Sequence, residues 1–284
     1  HVENVPANYY LEATPPKDTK PSSVPPAQPT YFTEIEVITG PLHEEKSVND
    51  YQLQPLLPHR LSRWGPGMAW ADLDGNGRPD LYLGGSAGQA GAIWLNEGKG
   101  KFRPLAQSAF EQDKSAEDLG ALFFDADGDG DQDLFVSSGS HEYANSSEHY
   151  RDRLYRNEGN LRFTSAPLPD HRGSSGSASA ADFDRDGDLD LFVGGRLRPG
   201  EYPLPGKSRL LRNDDGNFTE VIGQVAPGLA DAGMVTGSLW TDVDADGWPD
   251  LLLSTEWGPV KLFRNRQGSL VDETQAAGLA ELKG

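Results

Sequence analysis

The chain has 284 residues, no cysteine, and a formal net charge of −19 from 44 acidic against 25 basic residues. That length suits one large domain or two small ones, with enough chain to bury a core without cross-links. Disulfides, thiol nucleophiles, thiolate zinc and iron–sulfur clusters are excluded, no apolar run reaches the roughly 18 residues of a membrane span, and the charge disfavours nucleic acid and favours cations.

The opening HVENVPANYY shows no leader pattern, which is compatible with a processed start. Residues 1–30 hold seven of the 21 prolines. That density excludes helix and central strand and predicts an extended, polyproline-like arm. Such an arm is either a flexible linker or a segment that docks on its own body or on a neighbour. Tyr31–Ile38, YFTEIEVI, alternates as a first strand.

From there a repeat fills the chain. Four segments align without gaps: ADLDGNGRPDLYLGG from Ala71, FDADGDGDQDLFVSS from Phe124, ADFDRDGDLDLFVGG from Ala181 and TDVDADGWPDLLLST from Thr241. Their first aspartates, Asp72, Asp125, Asp182 and Asp242, are 53, 57 and 60 residues apart, and a second marker recurs downstream at Asn96, Asn157, Asn213 and Asn265. Each unit reads as four short strands. One apolar stretch precedes the acidic loop, another follows it, a third ends at the asparagine, and the Asn-x-Gly or Asn-x-x-Gly turn leads into a fourth. Four antiparallel strands per repeat of this length predict an all-β protein, a whole or partial β-propeller, with repeats at about 65–107, 118–168, 176–222 and 235–275. A β-sandwich or four unrelated hairpins is the alternative.

Each acidic loop places oxygen-bearing side chains at positions 1, 3, 5 and 9: Asp72, Asp74, Asn76 and Asp80; Asp125, Asp127, Asp129 and Asp133; Asp182, Asp184, Asp186 and Asp190; Asp242, Asp244, Asp246 and Asp250. Glycine at position 6 (Gly77, Gly130, Gly187, Gly247) permits a chain reversal around an ion. Position 7 varies among Arg78, Asp131, Asp188 and Trp248, as expected if it contributes its backbone carbonyl. Oxygen-only ligands at alternating positions suit a hard cation, and calcium tolerates the six- to eightfold geometry of such a loop. Two carboxylates about 4.5 Å apart repel by roughly 3–4 kcal/mol at an effective dielectric near 20, so a divalent ion in each loop is favoured over solvated acids alone. About four calcium ions are therefore expected. An EF-hand is rejected, because position 12 is Leu83, Val136, Val193 and Leu253 rather than glutamate, and the flanks are strand-like.

These loops resemble the FG-GAP/VCBS repeats of integrin α-subunit propellers and of many bacterial surface proteins. Segments such as LLPHRLSRWGPGMAWADLDGNGRPDLYLGG, YRDRLYRNEG and STEWGPVKLFRN are similar to the bacterial relatives of the cartilage acidic protein family. The resemblance covers about residues 40–284. It implies a secreted or cell-surface, calcium-bearing propeller (the periplasm is a further compartment open to it) whose usual role is interaction rather than catalysis. Four complete repeats depart from the roughly seven blades such propellers usually have. A fragment, an open arc, or a small ring closed by Tyr31–Ile38 would each account for that.

In antiparallel blades the acidic strand 1–2 loops share one face and the strand 2–3 loops the other. From first aspartate to marker asparagine the repeats span 24, 32, 31 and 23 residues, so the second and third carry extra residues in their 2–3 loops. Variable loops on a rigid scaffold are where binding sites tend to lie. His141, Glu142, Tyr143, Arg196, Arg198, Tyr202, Glu256 and Trp257 are the candidates there, for a protein or glycan partner; the alternative is that these loops cover a neighbouring blade or plug a central channel. Self-assembly through the N-terminal arm is a further expectation. Catalytic signals are weak: HEYANSSEH lacks the histidine spacing of HExxH, SSGSASA has no nucleophile-elbow context, and His43, His59 and His171 stand alone. The leading expectation is a non-enzymatic interaction, adhesion or assembly module. The rivals are the scaffold of a polysaccharide-processing enzyme, which paired carboxylates beside a basic residue on the second face would favour, and a structural subunit docked through its arm.

Overall fold

The computed structural model describes residues 43–282, which lie in the second of the chain's two units, residues 37–284. The proline-rich arm and the strand expected at Tyr31–Ile38 fall outside the described residues.

Among the described residues, sixteen strands form four antiparallel sheets of four, each a simple meander. Blade one comprises β1 (Met68–Ala71), β2 (Asp80–Leu83), β3 (Ala92–Gly98) and β4 (Lys101–Leu105). Blade two comprises β5 (Asp118–Phe124), β6 (Asp133–Ser138), β7 (Arg153–Asn157) and β8 (Phe163–Ala166). Blade three comprises β9 (Ser174–Ala181), β10 (Asp190–Leu197), β11 (Arg209–Asp214) and β12 (Asn217–Glu220). Blade four comprises β13 (Met234–Thr241), β14 (Asp250–Glu256), β15 (Lys261–Asn265) and β16 (Leu270–Asp272). The register places the last residue of each first strand opposite the last loop aspartate, as in Ala71 with Asp80, Phe124 with Asp133, Ala181 with Asp190 and Thr241 with Asp250. Every acidic loop is therefore a strand 1–2 connection with the same closure.

The blades pack face to face, and one apolar core lies at each junction. Between blades one and two, Tyr82, Ile93 and Leu95 meet Leu134, Val136 and Tyr155 around Phe110 of a short helix, α1 (Ser108–Asp113). Between blades two and three, Phe135 and Leu154 meet Leu191, Val193 and Leu211. Between blades three and four, Phe192 and Leu210 meet Leu251, Leu253 and Phe263. Side chains alternate across a strand, so β6 sends Leu134 and Val136 toward blade one and Phe135 toward blade three. That explains why β6 and β10 both begin DLFV, with no polar alternation: both faces are covered. Burying a Leu, Val or Phe completely is worth roughly 1.5–3 kcal/mol. The cost falls on the first strands, which must approach backbone to backbone. A Cβ on Gly120 would lie 2.5 Å from the Gly176 carbonyl oxygen, and one on Gly67 would lie 2.8 Å from the Gly120 carbonyl carbon. Only glycine fits at that approach.

Candidate metal centres

The four acidic loops share one internal hydrogen-bond plan. The first aspartate accepts backbone N–H groups on both oxygens: Asp182 from Asp186 (3.1 Å) and Gly187 (3.2 Å), Asp242 from Asp246 (3.1 Å) and Gly247 (2.8 Å), Asp72 from Asn76 (3.0 Å) and Gly77 (2.7 Å), and Asp125 from Gly128 (2.8 Å) and Gly130 (3.1 Å). The position-5 side chain (Asn76, Asp129, Asp186, Asp246) accepts the N–H of position 7 at 2.8–3.0 Å. These bonds curl the chain so that its oxygens converge. The reversal needs positive φ at position 6, and position 4 adopts it as well: Gly75 at +70° and Gly128 at +75°, but Arg185 at +64° and Ala245 at +59°. Non-glycine residues are strained there.

Asp72, Asp74 and Asp80 each bring one carboxylate oxygen within 4.8 Å of the others, as do Asp125, Asp127 and Asp133, and Asp182, Asp184 and Asp190. In blade four the converging trio is Asp242, Asp244 and Asp246, without Asp250. The guanidinium of Arg264 lies there, 2.5 Å from Asp244 and 3.3 Å from Asp250. At position 3, Asp127 Oδ1 and Asp184 Oδ1 are shut off from solvent and accept no hydrogen bond. Each carboxylate thus keeps one oxygen without a donor, which a cation could satisfy, while Arg156 lies 3.6 Å from the other oxygen of Asp127.

Position 9 has a second job that spacing did not disclose. Asp80, Asp133, Asp190 and Asp250 are fully buried. One oxygen accepts the N–H of loop position 2 (Leu73, Ala126, Phe183, Val243) at 2.8–3.1 Å. The other accepts the N–H of the marker asparagine at 2.6–2.9 Å. This residue ties the loop to the third strand whatever else it binds. Burial pushes Asp133 up to about 6 and Asp190 up to about 7, against the pull of those same N–H groups. Asp242 is instead held below the usual range, chiefly by the Gly247 N–H.

The marker asparagines connect neighbouring blades. Asn213 donates to the Ala126 carbonyl of blade two (2.9 Å) and the Leu189 carbonyl of its own blade (3.1 Å). Asn265 does the same to Phe183 of blade three (2.7 Å) and Pro249 (3.1 Å). Each acidic loop from the second blade to the third is thus clamped by the next blade's third strand. The position-7 side chains point outward to varied partners. Arg78 reaches the Asn96 carbonyl, Asp188 accepts the Asp215 N–H, and Trp248 lies under Arg185 at 5.2 Å.

On the opposite face the sequence candidates separate into three groups. His141 is buried, its Nε2 3.1 Å from Asp50, which also accepts the N–H groups of Leu61 and Ser62. It anchors the segment 50–64 and is not available to a ligand. That segment also carries Gln54, whose amide bonds both backbone groups of Tyr202, and Leu57, Leu61 and Trp64, which pack with Leu197, Tyr202 and Met234. Sequence reading missed Asp50, Gln54 and Trp64, which carry no repeat signature. In the second group, Tyr143 stacks on His149 at 4.0 Å, while Glu142 is half-buried with both oxygens lacking donors and is pushed by burial up to about 6. In the third group, Arg196 pairs with Glu256, Tyr202 donates to Glu256 (2.6 Å), Trp257 donates to Tyr202 (2.7 Å), and Arg196 lies over Trp64 at 4.0 Å. Trp257 is 68% exposed although its backbone is left-handed, φ +63°. It borders a largely apolar cleft of about 450 Å³ with Tyr202, Pro203, Met234, Pro259 and Lys261. Arg198 is exposed and, among the described residues, pairs with Glu201 at 3.6 Å.

Four meander sheets packed face to face, with a matching acidic loop in each, define a repeat protein of the β-propeller type. The family model for the FG-GAP-like repeat matches residues 72–136 and 138–193. Over 187 residues, 62% of this chain, the sequence is 31% identical to cartilage acidic protein 1 of Mus musculus and 30% identical to that of Homo sapiens. The match covers 27% and 26% of those proteins, so the chain spans about a quarter of their length. Among solved structures it is similar to BBS1N, crystallised in complex with ARL6DN (15% identity, TM-score 0.41, 73% of this chain and 52% of that one). It is also similar to the V. cholerae biofilm matrix protein Bap1 (18% identity, TM-score 0.40, 72% and 27%). No helix among the described residues is long and apolar enough to cross a membrane.

Proposed function

We propose that the chain is a secreted, calcium-binding propeller module that works by interaction, adhesion or assembly rather than catalysis, at the cell surface or in an extracellular or periplasmic space. The observation that carries the calcium reading is the pair of donorless, buried oxygens, Asp127 Oδ1 and Asp184 Oδ1, on residues whose carboxylates each converge with two others. Asp, Asn and backbone oxygens of positions 1, 3, 5, 7 and 9 would hold the ion. Calcium supplies the positive charge that lets the loop carboxylates remain ionised side by side. The all-oxygen donor set selects a hard cation, and the likeness to cartilage acidic protein 1 supports an extracellular setting.

The partner surface in this reading is the face opposite the acidic loops, centred on the Tyr202–Trp257 cleft. An exposed tryptophan with its ring edge fixed by Tyr202 offers a flat, preorganised surface for a protein or glycan. Titration calorimetry on chelator-stripped full-length protein tests the first part. About four calcium ions should bind, and none binding would sink the reading. A glycan and surface-protein array comparing the intact chain with the triple variant Arg196→Ala, Tyr202→Ala, Trp257→Ala tests the second. Loss of signal with unchanged calcium content is expected, and full retention would move the surface elsewhere. Removal of residues 1–30, followed by size analysis, tests self-assembly through the arm.

The enzymatic alternative has one observation in its favour. Glu117 and Glu142 are second-face carboxylates raised to about 8 and about 6, in each case first by burial. Turnover of a polysaccharide that disappears in Glu142→Gln would replace the non-enzymatic reading.

A further inference from the structure

We propose that His43, Glu45 and Glu117 form a second kind of metal site, for a zinc-class divalent ion, on the face opposite the acidic loops. It is independent of the calcium reading, because it shares no residue with the repeats' loops.

Three pieces of chain meet there. Residues 43–45 run alongside the strand 2–3 loop of blade one, held by the Glu44 N–H on Gln89 (2.9 Å) and by the Ser86 hydroxyl on the Glu44 carbonyl (2.5 Å). Glu117 enters from the residues just ahead of β5, and the Ala87 N–H fixes its Oε2 at 2.6 Å. One potential ligand atom from each of His43, Glu45 and Glu117 lies within 4.8 Å of the other two.

The hydrogen bonds decide what is missing. His43 Nδ1 lies 3.1 Å from the Gly84 carbonyl oxygen. A carbonyl only accepts, so Nδ1 carries the hydrogen. In the neutral ring, Nε2 is then a lone pair, and it faces Glu45 Oε1 at 3.0 Å. Glu117 is 1% exposed, and its Oε1 is shut off from solvent with no donor. Three potential ligand atoms thus converge, and Glu117 Oε1 meets no donor from the described residues. Among the described residues, no lysine or arginine pairs with Glu45 or Glu117. The nearby Arg153 is committed to Asp118 at 2.6 Å.

Donor chemistry names the class of ion. Calcium and magnesium take oxygen, whereas an imidazole nitrogen with carboxylates suits zinc and its neighbours in the first transition row. Three protein ligands leave a further position for water, a common zinc arrangement. A ligating histidine usually donates its other ring N–H to a carbonyl or carboxylate, as His43 does to Gly84. The four repeat loops contain no histidine, so the two faces would sort cations by donor type.

The test uses the full chain with its acidic loops saturated by calcium. Zinc is titrated against a chromophoric zinc chelator, and cobalt(II) serves as a spectroscopic substitute. One tight zinc equivalent is expected, with cobalt ligand-field bands. The zinc dissociation constant should rise at least about tenfold in His43→Ala and in Glu117→Gln, and should not change in His149→Ala. Because Glu117 is buried and its variant risks misfolding, the partly exposed Glu45→Gln carries the same expectation. The proposal is overturned if the calcium-saturated protein takes no zinc, or if zinc binding survives both His43→Ala and Glu45→Gln. The cluster would then be an imidazolium held between carboxylates.

Discussion

The loops of blades three and four carry the same D-x-D-x-D-G-x-x-D pattern, yet they present different centres. In blade three, Asp182, Asp184 and Asp190 converge, and Asp184 Oδ1 waits without a donor. In blade four, Arg264 lies against Asp244 and Asp250, and the converging trio shifts to Asp242, Asp244 and Asp246. The cause lies outside the loops. Arg212 of blade three occupies the strand position of Arg264, but it bonds Asp214, two residues on, at 3.0 Å. The matching residue in blade four is Arg266, a like charge, and Arg264 turns to the loop aspartates and to Glu273 (3.7 Å) instead. In blade two, Arg156 lies 3.6 Å from the loop residue Asp127 although Glu158 stands two residues on, so the approach of this arginine to its loop differs from blade to blade.

The largest effect expected from this comparison is on metal removal. At a thousandfold excess over its dissociation constant an ion stabilises by about 4 kcal/mol per site, so chelation should lower the melting temperature by at least about 10 °C. Calcium should restore it better than magnesium. Scanning calorimetry checks this, and a melting temperature that ignores verified metal removal would defeat the calcium reading.

Next in size is Asp190→Asn, measured by urea unfolding in calcium-free buffer at pH 8. If Asp190 were only an ion ligand, neutralising it without the ion would stabilise the protein. As a tie between Phe183 and Asn213 it should instead lose about 2–3 kcal/mol, the worth of a hydrogen bond to a charged group in a buried place.

Arg264→Met and, separately, Arg266→Asp should each tighten calcium binding at loop four about tenfold, roughly 1.4 kcal/mol. The first removes the competing cation and the second draws it outward. Arg212→Met should leave loop three unchanged. Equal responses in both blades, read by calorimetry, would break the contrast.

Acidity should separate the same two loops. A carboxyl raised in the folded state binds a proton that the unfolded chain has released. Asp133 and Asp190 therefore favour the metal-free fold most below pH 4, and that contribution is lost as pH rises through about 6 and about 7. Calcium must displace those protons, so affinity at loops two and three should fall several-fold from pH 8 to pH 6. Loop four, where Asp242 is held low, should change less. Calcium titrations at both pH values resolve this.

The smallest effect expected is at loop position 4. Ala245→Gly should stabilise by about 0.5–1 kcal/mol by relieving a left-handed alanine, and Gly128→Ala should cost a similar amount. Thermal melts of the two variants in saturating calcium give the comparison.

Much of this architecture is legible along the chain because its causes are local. Apolar runs flanking DxDxDG read as strands, and glycines at position 6 read as reversals. The position-9 aspartate reads only as a ligand, because a hydrogen bond to Asn213, 23 residues away, leaves no periodic trace. His141 looks like a loop residue open to partners, since nothing in HEYANSS announces that Asp50, 91 residues earlier, takes its ring nitrogen.

Sequence by itself determined the repeat, the blade count among the described residues, the loop chemistry and the two faces. Each follows from backbone preference, side-chain alternation or donor type within a few consecutive residues. Tertiary structure alone decided which carboxylates stay free. It set Arg264 on loop four, clamped the second and third loops with the next blade's asparagine, buried His141 under residues 50–64, and brought Glu117 to His43. These outcomes depend on charges and backbone groups that are distant in sequence and adjacent in space, where a single neighbour's sign or a missing donor outweighs any local pattern.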